Sequence, residues 1–269
     1  MRVTEGMRYA SVTNNLSDVS SRQAAAAQQA QTGQRVNLPS DDPVAAAQLA
    51  RLSASQAQVT ARRASITSVR GDTELAESSL QQASDLMARA KELAVQGANG
   101  SLAASDRADL ALQIKDIHDQ MIGIANTKGS TGYLFGGSQT QTEPFTAAGA
   151  FTGDDQSHVV DIGNSTPTAV NASGAQAFTA AGGRDVLADL DSLYTALNTN
   201  DTTGISATLD NLDTSRAQIT TAQAAAGTII NKLDASDSIL GNVQLQNTKS
   251  TQEVGAADPA AAYTNLTQL

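Results

Sequence analysis

Apolar side chains recur every three or four positions through most of this chain, and that rhythm commits it to long helices packed side by side. In the first stretch the beat falls on Tyr9, Val12, Leu16, Val19, Gln23, Ala26 and Ala30. Its later positions hold Gln and Ala where a strong seam holds Leu. So small a stripe would not keep a lone helix folded in water, so the segment is expected to order only beside partner helices. Gly33 stops it, as a left-handed residue just past a helix end does. After the irregular residues 34–40, Asp41-Asp42-Pro43 restarts a helix, with an acidic cap and a proline in the first turn where its missing N–H costs nothing.

From Val44 the beat resumes at Ala45, Leu49, Leu52, Gln56, Val59, Arg63 and Ile66, then continues through Leu75, Leu80, Leu86 and Leu93 to Gly97 and Gly100. A helix over 44–97 is roughly 80 Å long at about 1.5 Å per residue, with Gly71 a candidate bend. A third helix, about 104–127, presents Leu110, Ile114, Ile117, Met121 and Ile124. Tyr133-Leu134-Phe135 between glycines reads as a strand. Residues 138–182 turn rich in Gly, Thr, Ala, Asn and Ser, and His158-Val159-Val160-Asp161-Ile162 alternates, which predicts a small β subdomain. The helical beat returns at Val186, Leu190, Leu193 and Leu197. It then runs along a long C-terminal helix through Ile205, Leu209, Leu212, Ile219, Ala226, Ile230, Leu233 and Leu240, with Arg216, Gln223, Asp237 and Gln244 on the same seam. The expected fold is mainly α: an elongated antiparallel helical bundle or coiled-coil rod carrying a small inserted β subdomain.

Composition narrows the function. With 27 acidic and 17 basic residues the net charge is −10, which repels nucleic-acid backbones and anionic membrane surfaces alike. Neither cysteine nor tryptophan is present and aromatics make up 3%, so disulfides and thiolate metal sites are excluded and a core built on aromatic anchors is not expected. No segment has the length of a signal peptide's apolar run or of a membrane span, which by itself reads as a soluble cytoplasmic chain. Chemistry is scarce. The two histidines, His118 and His158, have no partners at metal-ligand spacing and read as ordinary surface residues. There is no phosphate-binding G-x-x-x-x-G-K-[ST] loop and no G-x-S-x-G elbow. Asp41-Asp42 reads as a cap, not as a pair of catalytic carboxylates, and Asp154-Asp155 reads as a turn pair, since a Ca²⁺ loop needs several more oxygen ligands at set spacing. No catalytic, cofactor or metal residue is assigned.

The stop and restart over Thr32-Gly33-Gln34-Arg35-Val36-Asn37-Leu38-Pro39-Ser40-Asp41-Asp42-Pro43 closely resembles the link between the first two helices of bacterial flagellins. The Pro-Ser-Asp-Asp-Pro version, where filament flagellins have Asp-Asp-Ala, is similar to the hook–filament junction branch of that family. Met1-Arg2-Val3-Thr4, Leu93-Ala94-Val95-Gln96-Gly97-Ala98-Asn99-Gly100, Tyr133-Leu134-Phe135-Gly136-Gly137, Phe151-Thr152-Gly153-Asp154 and Val170-Asn171-Ala172-Ser173-Gly174 resemble further family segments in order. The resemblance implies a structural, non-enzymatic subunit of the flagellum. Its implied partners are hook-associated protein 1, flagellin, further copies in a ring, and an export chaperone. It also implies export through the flagellar type III pathway without a cleaved signal, hence an extracellular place. A filament flagellin is the alternative, and a secreted enzyme on a flagellin scaffold a more distant one. The implied division is a terminal polymerisation helix over 1–40, a rod from 41–137 and 183–254, the insertion at 138–182, and a C-terminal helix beginning at 255–269. The family continues that last helix well beyond the point matching Leu269, so a truncated terminal region is expected. Gly33 and Pro39 are expected to shape the connector, Asp41, Asp42 and Pro43 to launch the long helix, and Arg35 and Asn37 to face neighbouring subunits. Val12, Leu16 and Val19 are expected to form the assembly seam.

Overall fold

The computed structural model describes residues 5–156, 159–161, 168–170 and 172–268; Met1 to Thr4, His158, Asn171 and Leu269, singled out above, lie outside them. Helices dominate: α1 (Glu5–Thr32), α2 (Pro43–Gly97), α3 (Ala104–Ala125), the short α4 (Gly174–Phe178), α5 (Val186–Asn198), α6 (Thr202–Gly255) and α7 (Pro259–Gln268). The chain divides into two compact units, Met1–Ala61 with Leu240–Leu269, and Arg62–Ile239. The first carries six basic and six acidic residues and the second eleven and twenty-one, so the entire surplus of −10 belongs to the second unit.

In the second unit the α2 stripe is an alanine-rich heptad. Ile66, Val69, Thr73, Ala76, Leu80, Ala83, Met87, Ala90 and Ala94 alternate steps of three and four, and all are buried. The leucine beat predicted Leu75 and Leu86 on this stripe, yet Leu75 is exposed and Leu86 only partly buried. The α6 stripe behaves the same way: Ile205, Thr208, Leu212, Ser215, Ile219, Ala226, Leu233 and Ser236 are buried. Arg216 and Asp237, expected on the seam, sit one position off it, beside buried Ser215 and Ser236. Small residues win these positions because they let backbones approach closely, while the long polar side chains reach solvent from the edge. There Asp237 meets Arg63 (Nε to Oδ1 2.8 Å) and Lys91 meets Asp213 (2.6 Å). Helix α2 runs unbroken through Gly71. Helix α3 packs Leu110, Ile114, Ile117 and Met121 in the same core as Val186, Leu190, Leu193 and Leu197 of α5.

The insertion holds far less strand than expected. Among the described residues its sheet is one antiparallel pair, β1 (Val159–Val160) and β2 (Thr168–Ala169), and Tyr133 makes only an isolated bridge with Lys128. Polar side chains take the backbone groups that a ladder would use. Asp154 accepts from Ser138 N (2.8 Å), Ser138 Oγ (2.6 Å) and Gln156 N (3.0 Å), and its crowding against Gly137 (φ +69°) leaves no room for a Cβ there. Asp72 on α2 takes Ser130 N (2.7 Å) and Thr131 Oγ1 (2.7 Å), tying the turn after α3 to the helix.

An aromatic core exists after all, made locally. Phe135, Phe145 and Phe178 are fully buried, Phe178 standing edge-on to Phe135 (5.3 Å, 86°) and Phe145 (5.7 Å, 82°), with Phe151 5.0 Å from Phe145. All four phenylalanines of the chain meet here. The chain leaving this cluster is held by Gln218 of α6, whose amide donates to the carbonyls of Ala177, Thr179 and Arg184 and accepts from Arg184 N. Arg184 in turn pairs with buried Asp189, which also accepts from Ser215 Oγ at 2.6 Å.

Candidate assembly joint

The first unit brings the connector after α1 against the end of α6. Gly33 adopts φ +66°, turning the chain out of α1 as its sequence position requires. The next residues run antiparallel to residues 255–257: Arg35 N donates to Gly255 O (2.7 Å) and Ala257 N to Gly33 O (2.9 Å), around the bridge Gln34–Ala256. Val36 is buried beside this crossing. Residues 38–41 form a β-turn closed by Asp41 N on Leu38 O (3.0 Å), with Pro39 at the second position, where its fixed φ suits the turn. Asp41 Oδ2 accepts from Asn37 N (3.0 Å) and Leu38 N (2.8 Å), bracing the turn from inside.

Asp42 has two tasks. Its Oδ1 caps α2 by accepting from Val44 N (3.1 Å) and Ala45 N (3.0 Å), while Oδ2 receives Arg35 Nη1 at 3.0 Å. Arg35 Nη2 donates to Val254 O at 3.0 Å, placing a cation on the carbonyl end of α6, where the helix dipole favours one. The Ala45 amide, then the Arg35 guanidinium, hold the Asp42 carboxyl below its ordinary value against the opposing effect of desolvation. One guanidinium thus links the end of α6 to the start of α2. Asn37 is half-buried, its Nδ2 on Gln34 O (3.0 Å) and its Oδ1 accepting from Thr32 Oγ1 (3.1 Å). Arg35 and Asn37, expected to face neighbouring subunits, also make these hydrogen bonds within their own chain, because the sharp turn leaves backbone groups that need partners.

Helix α7 restarts as α2 does. Asp258-Pro259 repeats Asp42-Pro43, and Asp258 Oδ1 accepts from Ala260 N at 2.9 Å. Residues 254–257 were not singled out from sequence as partners of the connector, although the repeated Asp-Pro pair marks the same kind of break there. Along α1, which packs against α7, the predicted seam is open: Val12, Leu16 and Val19 are 64%, 71% and 41% exposed, and Met7 and Tyr9 are exposed beside them. Among the described residues no group of three or more His, Asp or Glu is arranged to hold a metal, and no helix is long and apolar enough to cross a membrane. His118 is half-buried, its Nδ1 3.4 Å from Asp119 Oδ1.

Comparison with known proteins agrees with this architecture. The bacterial flagellin N-terminal helical region matches residues 3–140. Flagellar hook-associated protein 3 of Salmonella typhimurium is 34% identical over 183 residues, 66% of this chain and 57% of that protein, so the match spans little more than half of the relative. Its Escherichia coli counterpart is 30% identical over 282 residues, 96% of this chain and 89% of that one. A Vibrio parahaemolyticus structure assigned to the flagellar hook-associated class superposes with a TM-score of 0.74 at 22% identity, covering 80% of this chain and all of that one, a likeness of fold. An exposed apolar helix, a capped connector and a flagellin N-terminal region thus come together in one sequence, and the chain belongs to the bacterial flagellin family as a structural flagellar protein of the hook-associated protein 3 group.

Proposed function

We propose that this protein is the non-enzymatic subunit of the joint between hook and filament, assembling as a ring of copies between hook-associated protein 1 and flagellin. The observation that carries the reading is the open stripe of Val12, Leu16 and Val19 on α1, flanked by Met7 and Tyr9. Such a stripe loses contact with water only against another helix, and burial is worth about 25 cal/mol per Å² of apolar surface. Residues 1–40 and 255–269 are the assembling region, and residues 41–137 with 183–254 form the rod that bears the insertion at 138–182. Gly33, Pro39, Asp41, Asp42 and Pro43 fix the direction in which the chain leaves α1, and Arg35 and Asn37 hold that geometry while the surface they leave open to solvent faces neighbours. The place of action is outside the cell. The chain reaches it through the flagellar type III channel without a cleaved signal, escorted by an export chaperone.

A strain lacking the gene is expected to build hooks and shed flagellin into the medium, with filaments restored by the wild-type chain but not by Leu16→Asp. Normal filaments on the deleted strain would refute the proposal. Seeded growth of the purified chain alone into long tubes would assign it to the filament instead.

A further inference from the structure

Asn99-Gly100 is the one Asn–Gly pair in the chain, and no Asp–Gly pair occurs. It lies in the turn between α2 and α3, with both residues exposed. Asn99 Oδ1 accepts from Ser101 N (3.1 Å) and Ser101 Oγ (2.8 Å), two donors that draw electron density from the side-chain carbonyl carbon. Among the described residues, the Gly100 N–H has no acceptor and the Asn99 Nδ2 no partner, so the nucleophile and the leaving group are both unencumbered. On the other side of the same residue, the main-chain oxygen of Asn99 accepts from Arg107 Nη2 at 2.6 Å and from Leu102 N at 3.1 Å. Arg107 is buried at 3% exposure. Its Nε donates to Gly97 O (2.8 Å) and its Nη1 to Asn200 Oδ1, and no carboxylate lies within ion-pair reach among the described residues.

We propose that Asn99 is a site of spontaneous self-modification, converting to isoaspartate in the folded protein. The Gly100 nitrogen bonds to the Asn99 Cγ, gives its proton to solvent, and the side-chain amide leaves as ammonia, closing a succinimide. Water then breaks the bond between the Gly100 nitrogen and the former main-chain carbonyl carbon. The chain thereafter runs through the side-chain carbon, and the former main-chain carbonyl becomes a free carboxylate. One water is consumed, one ammonia is released, and nothing is oxidised or reduced. Arg107 directs the opening: it polarises the carbonyl that water must attack for this product, and the carboxylate formed there supplies the counter-charge that this buried cation lacks.

The test is to age the full-length protein at mildly alkaline pH beside the same chain unfolded in urea. Isoaspartate is read by isoaspartyl-methyltransferase labelling and by peptide mapping with electron-transfer fragmentation. Isoaspartate at position 99 should form in the native protein at least as fast as in the unfolded chain, and with a higher ratio of isoaspartate to aspartate. Gly100→Ala should slow the conversion by about tenfold or more without disturbing the fold, because a Cβ at Gly100 hinders attack by its nitrogen yet meets nothing within 4 Å, and its φ is not left-handed. Slower conversion in the native protein than in urea, or aspartate as the main native product, would overturn the assignment.

Discussion

Replacing Phe178 with alanine tests whether the aromatic cluster holds the insertion on the helical core. Phe178 is fully buried and stands edge-on to two partners, 5.3 Å from Phe135 and 5.7 Å from Phe145. Truncating a buried phenylalanine costs about 3–5 kcal/mol, of which two edge-to-face pairs account for roughly 1–3 kcal/mol. With a urea dependence of about 2–3 kcal/mol per molar for a unit of this size, the midpoint of the second unit should fall by about 1–2.5 M. Without tryptophan, the transition is followed by far-UV circular dichroism and by the fluorescence of Tyr133 and Tyr194, both in that unit. Phe178→Leu, which restores most of the volume and loses only the ring geometry, should recover at least half of the loss. Tyr9→Ala, at an exposed position in the other unit, should leave this transition unmoved. A midpoint for Phe178→Ala within experimental error of the parent would show that the ring contacts are incidental.

Asp72 sits below its ordinary value of 3.8: partial burial pushes it up, but the hydroxyl and amide donors of Thr131 and Ser130 together pull it further down. A depressed carboxyl contributes stability that is complete above 3.8 and lost as pH falls through the folded value, so acid titration should destabilise the second unit below that point, and Asp72→Asn should flatten the loss. Gly137→Ala, at φ +69° against Asp154, should cost more than about 1 kcal/mol in thermal unfolding; a neutral result would mean that the turn can rearrange. Arg35→Met should free the connector, speeding hydrogen exchange at Val44, Ala45 and Ala257 while the second unit stays protected. Leu16→Asp should leave monomer circular dichroism unchanged and abolish co-sedimentation with flagellar assemblies.

Local chemistry carried the clearest signals. Gly33 needs a left-handed φ and Asp42-Pro43 a capped start, and each is decided within four residues of chain, so each was legible in sequence. The helices were legible for the same reason, but not their buried faces. Leucine is the usual mark of a seam, whereas here Ala76, Ala83, Ala90 and Ala94 take it and Leu75 turns outward, a choice made by how closely neighbouring helices approach. Ser215 in place of Arg216 and Ser236 in place of Asp237 follow from the same shift of one position. The strand predicted at Tyr133-Leu134-Phe135 is reduced to an isolated bridge, because Asp72 holds the preceding Ser130 and Thr131 in a turn while Phe178 packs on Phe135, both from distant parts of the chain. Family likeness points to Arg35, but its partner Val254 lies far along the chain, where no local pattern points to it.

The uneven placement of charge between the two units has a consequence for handling the protein in solution. At an ionic strength of about 0.15 M, surface charges interact over only about 8 Å, so repulsion acts between bodies that nearly touch and fades beyond. Molecules meeting in bulk through their acidic units repel at that range, which keeps a concentrated population colloidally dispersed. The terminal unit, electrically balanced, carries no such barrier, and it is also the unit whose apolar helix face is left bare.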